Sequence, residues 1–176
     1  MKLLIASDIH GDILATRRLF EAFDREKADK LLLLGDLLYH GPRNDLPAHY
    51  APKEVIEVLN GRKDVLYCVR GNCEAEVDSM VLQFPVRADY ALLVLEGRTL
   101  FATHGHLYEK STLPLTKGDC YVQGHTHIPM KEEDNGILYL NPGSVALPKG
   151  GAPATYMVFE SNDFFLKTLD GEIYEP

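Results

Sequence analysis

Five apolar runs in this chain each stop on a residue able to ligate a divalent metal, and no other feature constrains the fold as tightly. Lys2–Ser7 stops at Asp8, Leu31–Gly35 at Asp36, and Val65–Gly71 at Asn72. Leu100–Thr103 stops at His104, and Cys120–Gly124 at His125. Short unbroken apolar runs read as strands buried on both faces. Ligands in open α/β sheets gather beyond the carboxyl ends of such strands. Five strands that each carry an oxygen or nitrogen donor to that end describe a metal site.

The donor chemistry sharpens this. Asp8-Ile9-His10 sets two donors two residues apart, so in an extended segment both point one way while Ile9 turns into the core. His125-Thr126-His127 repeats the device. With Asp36, Asn72 and His104 the set holds seven residues: two carboxylates, one amide oxygen and four imidazoles. A single tetrahedral zinc takes about four protein ligands, or about three plus water in a catalytic site. Seven suit two cations sharing a bridging carboxylate, with positions left open for water. Paired sites of that kind, with ions roughly 3.5–4 Å apart, occur in phosphatases and nucleases.

Singly, each residue has an ordinary structural role. Asp8 or Asp36 could form a turn or cap a helix, and Gly71-Asn72 is a common turn dipeptide. Concurrence argues otherwise. Asp8 to Asp36 is 28 residues, Asp36 to Asn72 is 36 and Asn72 to His104 is 32, close to the roughly 30 of one βαβ unit.

The motifs Asp8-x-His10, Gly35-Asp36, Gly71-Asn72-x-Glu74, His104-Gly105-His106 and Gly124-His125-x-His127 resemble the calcineurin-like metallophosphoesterase superfamily. The chain is most similar to its small bacterial phosphodiesterases, which share the loop His40–Asn44 and the stretch Asn141–Ser144 followed by Pro148–Gly151. The resemblance implies a four-layer α/β/β/α sandwich, two mixed β-sheets flanked by helices, formed by residues 1–176 as a single domain. It also implies that Asp8, His10, Asp36 and His127 hold one metal. The other falls to Asp36, Asn72, His104 and His125, with Asp36 bridging. A metal-activated water or hydroxide would then attack a small phosphodiester. The subgroup points to Mn²⁺; mixed imidazole and oxygen ligation also accommodates Zn²⁺, Fe²⁺ or Co²⁺.

Charge counting agrees with a diester. Two dications with Asp8 and Asp36 leave two positive charges, which a hydroxide and a phosphodiester anion cancel. A monoester dianion overshoots by one charge, so a phosphomonoesterase on the same site is the close alternative. The catalytic candidates are Asp36, Asn72, Cys73 and His106. Many superfamily members carry His where Cys73 stands, in contact with the phosphate or leaving group. A free Cys acts more often as a small hydrophobe, although a thiol of pKa near about 8.5 can donate a proton at neutral pH. His106 shares the face of His104, as a phosphate contact or as packing. Arg43, in a Pro- and Gly-rich loop, could grip phosphate bidentately but reads as a solvated loop residue. His49 has no functional case.

Composition excludes other classes. Eighteen basic against 26 acidic residues give a net charge of −8, against the basic footprint that long nucleic acid requires. No apolar run approaches the roughly 20 residues of a membrane span, and Lys2–Ala6 is too short for a signal peptide. Cys68, Cys73 and Cys120 form neither a CxxC nor an even set, which suits a reducing cytoplasm.

Asp12 is expected to cap a helix over 13–27, and Pro52 and Gly61 to bracket a second. A third is expected over 74–82. Later segments read as strands: 92–96 and 99–102 as a hairpin about Gly97, then 137–140, then 155–160 paired with 164–168. Leu92–Leu95 could form an edge strand and an assembly surface for a homo-oligomer, but reads better as a buried core strand. Asn141–Ser144 reads as a chain reversal, although its place after a strand could let it support the histidine ligands from behind. Loops 40–52 and 106–118 should frame the cleft. The resemblance also covers a non-catalytic scaffold of this fold in the retromer complex. Intact ligands favour the enzyme.

Overall fold

The computed structural model describes residues 1–176. β1 (Leu3–Ala6) is buried along its whole length. Asp12 then caps α1 (Ile13–Glu26), its carboxylate accepting the Ala15 N–H at 2.8 Å, which satisfies a donor that the first turn leaves free. Leu19, Phe20 and Phe23 of this helix pack on the sheet. β2 (Lys30–Leu33) returns parallel to β1, with Leu4 opposite Leu31. α2 (Pro52–Gly61) and β3 (Leu66–Cys68) repeat the unit, β3 parallel to β2. Pro52 opens α2 as expected, and Gly61 is its last residue rather than the one beyond.

The helix expected over 74–82 shrinks to one turn, α3 (Asp78–Val81). Glu74 accounts for this. Instead of opening a helix, its carboxylate turns inward and accepts the backbone N–H groups of Asp36, Leu37 and Gly71.

The chain then crosses to a second sheet. β4 (Tyr90–Leu95) and β5 (Arg98–Thr103) form the expected hairpin. Glu96 and Gly97 at its tip have φ of 50° and 88°, the left-handed pair whose twist matches the flanking strands. The 32-residue interval from Asn72 to His104 is therefore not a βαβ unit; it contains a change of sheet. β6 (Cys120–Val122) lies parallel to β5. β7 (Met130–Asp134) and β8 (Ile137–Asn141) form a second hairpin. β7 was not anticipated, because Met-Lys-Glu-Glu-Asp carries no apolar alternation; it is a solvated edge. β9 (Thr155–Glu160) and β10 (Asp163–Thr168) return to the first sheet.

The two five-stranded sheets run β10-β9-β1-β2-β3 and β4-β5-β6-β8-β7. Period-two alternation divides the apolar runs between two cores. Leu3, Ile5, Leu32 and Leu34 face Leu100, Ala102, Val122 and Leu140 between the sheets. Leu4, Ala6, Leu31 and Leu33 turn outward beneath α1 and α2. The outer face of the second sheet, Phe101, Tyr121 and Tyr139, is covered by Tyr108, Leu113 and Leu115. The cover holds only one 3-10 turn, Lys110–Thr112. The expected sandwich of two mixed sheets stands, with a thin fourth layer because Pro114 and Gly118 punctuate that segment.

Two strands read as buried are edges. Tyr67 of β3 is 41% exposed, and Leu92 and Val94 of β4 are 54% and 78% exposed. Nothing in a short apolar run distinguishes an edge position from a central one. No helix is long and apolar enough to cross a membrane.

Candidate metal centre

All seven expected donors converge at the carboxyl ends of β1, β2 and β3 in one sheet and of β5 and β6 in the other. They form two groups. In the first, His127 Nε2 is 3.2 Å from His10 Nε2 and 3.2 Å from Asp8 Oδ1, and His10 Nε2 is 3.5 Å from Asp8 Oδ1. In the second, His104 Nε2 is 3.1 Å from Asn72 Oδ1 and 3.2 Å from His125 Nδ1. Asp36 lies between: its Oδ2 is 3.7 Å from His10 Nε2 and 3.5 Å from His104 Nε2.

The backbone is bent to make this possible. Asp8, His10, Asp36, His125 and His127 all have φ between 49° and 67°. Non-glycine residues seldom occupy this left-handed region, and they do so mostly where function requires it. The extended alternation read from Asp8-Ile9-His10 is therefore corrected. Ile9 does enter the core, but left-handed kinks on either side aim the donors.

Three imidazoles are oriented from behind. His10 Nδ1 lies 2.9 Å from Tyr39 O, His104 Nδ1 2.7 Å from Leu34 O, and His127 Nδ1 2.6 Å from Leu147 O. A carbonyl only accepts, so each Nδ1 carries the proton, and in the neutral ring each Nε2 presents a lone pair to the site. Lone pairs 3.2 Å apart on His10 and His127 repel unless positive charge lies between them. Asp8 Oδ1 is buried and accepts no hydrogen bond. This donor set fits divalent metal.

Protons compete for the same positions. Burial pushes the Asp8 carboxyl up, but the histidines beside it prevail and hold it well below the usual carboxylate range. Burial lowers His104, yet Asp36 and Asp8 override it and raise the imidazole to about 9. In the metal-free protein this protonated ring stabilises the fold below pH 6.5, and the contribution fades as pH rises through about 9. Metal uptake at pH 7.5 is therefore expected to expel protons, and apparent affinity to climb until about pH 9. Calorimetry in buffers of different ionisation heat measures this; a buffer-independent heat would contradict it.

Cys73 and His106 flank the donors. Cys73 Sγ lies within 4.8 Å of ligand atoms of His10 and Asp36. Burial and the Asp36 carboxylate push its thiol well up, so it stays protonated. The His106 ring centroid is 5.3 Å from that of His104. Burial and the two neighbouring histidines lower His106 and leave it neutral. His40 packs instead between Tyr39 and Tyr50, and exposed His49 stands 3.9 Å from Asp12, away from the site. Arg43 lines the cleft over the donors, a recess of about 410 Å³.

Asn141–Ser144 is more than a chain reversal. Asn141 Nδ2 donates to Gly124 O at 2.9 Å and Thr126 Oγ1 at 3.0 Å, pinning the loop that carries His125 and His127. Ser144 Oγ donates to Asp8 O at 2.8 Å. Glu74 ties the Asp36 loop to Gly71. Polar residues placed directly after a buried strand were the available signal for Asn141 and Ser144; nothing local marked Glu74 beyond its place in the motif.

Residues 1–163 match the calcineurin-like phosphoesterase superfamily domain. The chain is 49% identical over 163 residues to phosphodiesterase YfcE of Escherichia coli K12, covering 92% of this chain and 89% of that one. The solved structure of the E. coli YfcE phosphoesterase superposes with a TM-score of 0.96 at 47% identity, over 99% of this chain and 97% of that one. Zinc-complexed Vps29 of Entamoeba histolytica shares the fold, with a TM-score of 0.61 at 18% identity over 99% of this chain and 96% of that one. The chain belongs to the calcineurin-like phosphoesterase superfamily.

Proposed function

We propose that this chain is a phosphodiesterase that works with two divalent metal ions on small phosphodiesters. Asp8, His10, Asp36 and His127 hold one ion; Asp36, Asn72, His104 and His125 hold the other. The observation that carries this reading is Asp36 Oδ2, 3.7 Å from a ring nitrogen of one group and 3.5 Å from a ring nitrogen of the other. The 49% identity to a phosphodiesterase supports the reaction class.

When bound, the two cations supply Lewis acidity toward the phosphoryl oxygens and lower the pKa of the attacking water. The chain's residues do the rest. The carbonyls of Tyr39, Leu34 and Leu147 lock the rings of His10, His104 and His127, so the donors need no reorganisation when substrate arrives. Asp36 also accepts the Cys73 N–H at 2.8 Å, which fixes the loop beside the ester. Asn72 holds its amide oxygen towards His104 and donates its N–H to Cys73 Sγ at 3.2 Å. Cys73, which lines the cleft, and His106, which lies beside His104, are both uncharged. With no imidazolium to protonate the leaving group, the site favours esters from which it departs as a stable anion. Mn²⁺ is the proposed metal and the cytoplasm the proposed location.

Assays of bis(p-nitrophenyl) phosphate and p-nitrophenyl phosphate test the reading. Diester turnover is expected to vanish after chelation, return with Mn²⁺, exceed monoester turnover, and fall as the leaving group becomes more basic. Absence of turnover with any dication would place the chain among non-catalytic members of the fold. Faster monoester cleavage would make it a phosphomonoesterase.

A further inference from the structure

The cleft above the donors has one cationic side. Apart from Pro42 and Cys73, its lining consists of polar or charged residues and Gly41, so an apolar leaving group finds no wall to pack on. Arg43 and Lys149 line it, and neither pairs with any carboxylate, although the chain carries a net charge of −8.

Lys149 is held in place, and Arg43 stands one residue before the asparagine that holds it. Lys149 Nζ donates to Asn44 Oδ1 at 3.2 Å, and Asn44 Nδ2 donates to His40 O at 2.8 Å. The Lys149 N–H donates to His127 O at 3.1 Å, which couples the lysine backbone to a candidate metal ligand. Arg43, Asn44 and Lys149 also line a second recess of about 230 Å³ with Asp45, Leu147 and Pro148, so the Asp45 carboxylate stands on the outer recess and not on the cleft. Arg43, Asn44 and Lys149 therefore form a saddle between the cleft and an outer pocket.

Charge counting shows what the saddle is for. The paired cations, Asp8, Asp36, a hydroxide and one diester anion sum to zero. Arg43 and Lys149 then add two positive charges that a singly charged diester leaves unmatched. From this we infer that Arg43 and Lys149, the latter braced by Asn44, form a second anion subsite. The substrates are then small diesters that carry a further phosphate or carboxylate, as a terminally phosphorylated dinucleotide does. The inference rests on the phosphodiesterase reading for which end of the substrate sits over the metals. An anion at the saddle would meet two charge-assisted donors, one of them able to bind bidentately.

Calorimetric binding to the Mn²⁺-loaded protein tests this without relying on turnover. The ligands are thymidine 5′-monophosphate and thymidine 3′,5′-bisphosphate. The bisphosphate is expected to bind at least about tenfold more tightly. The Arg43→Gln/Lys149→Gln double variant is expected to shrink that preference below about threefold, and Lys149→Arg to retain it. Both residues are exposed, so the variants leave the core untouched. Equal affinities in the wild type, or an undiminished preference in the double variant, would overturn the subsite. A normal preference in a protein that hydrolyses no diester would support the subsite and overturn the catalytic reading instead.

Discussion

Asp36→Asn is expected to lower diester turnover about 10³-fold or more and to cut the metal content of the purified protein to at most a single ion per chain. Asp36 is the carboxylate shared by both donor groups, 3.7 Å from His10 Nε2 and 3.5 Å from His104 Nε2. An amide keeps the size but removes the negative charge that would lie between the two proposed dications, and a neutral oxygen would bridge them poorly. Lewis-acid stabilisation of a phosphoryl transition state is worth several kcal/mol, and about 4 kcal/mol corresponds to that rate loss. The fold is expected to survive. Asn tolerates the left-handed conformation that Asp36 adopts at φ 55°, and its side-chain oxygen can still accept the Cys73 N–H. Metal analysis beside a kinetic assay separates the outcomes. A variant that retains both ions and full turnover would overturn the proposed bridging role of Asp36.

The largest effect on stability is expected from Gly35→Ala. A Cβ at Gly35 would lie 2.3 Å from Gly71 N and 2.6 Å from Gly71 Cα, and the residue sits at φ +96°. The loops that present Asp36 and Asn72 thus touch backbone to backbone, with no flexible side chain to yield. Left-handed strain alone costs about 1–3 kcal/mol. Separating the loops adds to it and breaks the hydrogen bonds by which Glu74 holds Asp36, Leu37 and Gly71 together. A total of about 4 kcal/mol is a large share of an ordinary domain's stability and predicts a fall in Tm of about 10 °C or more. Gly97→Ala is the control. It has a similar φ of +88° but nothing within 4 Å of the added carbon, so strain alone applies. Thermal melts that shift equally for the two variants would show that the Gly35–Gly71 contact is not what holds the site.

Much of the candidate site is legible in the sequence. Five of the seven donors directly follow an apolar run, and the runs at β1, β2, β5 and β6 are strands as read. The helices at Asp12 and Pro52 begin where their caps stand. What failed, failed for lack of a local cause. Leu92–Leu95 is as apolar as Leu31–Leu34, yet one is an edge and the other lies in the interior of its sheet. The charged β7 gave no alternation to follow. Glu74 left its expected helix for three amides, two of them more than 30 residues away.

The order of the donors, their chemistry and the strands that carry them are properties of the sequence, because apolar runs, caps and turn residues act over a few neighbours. Which donors share a point was decided only by the tertiary structure. His10 and His127 are 117 positions apart and meet at 3.2 Å, and that distance depends on two sheets packing and on five residues held in left-handed backbone. Short-range propensity disfavours those conformations. They persist because the surrounding carbonyls, Asn141, Ser144 and Glu74 leave the loops no other arrangement.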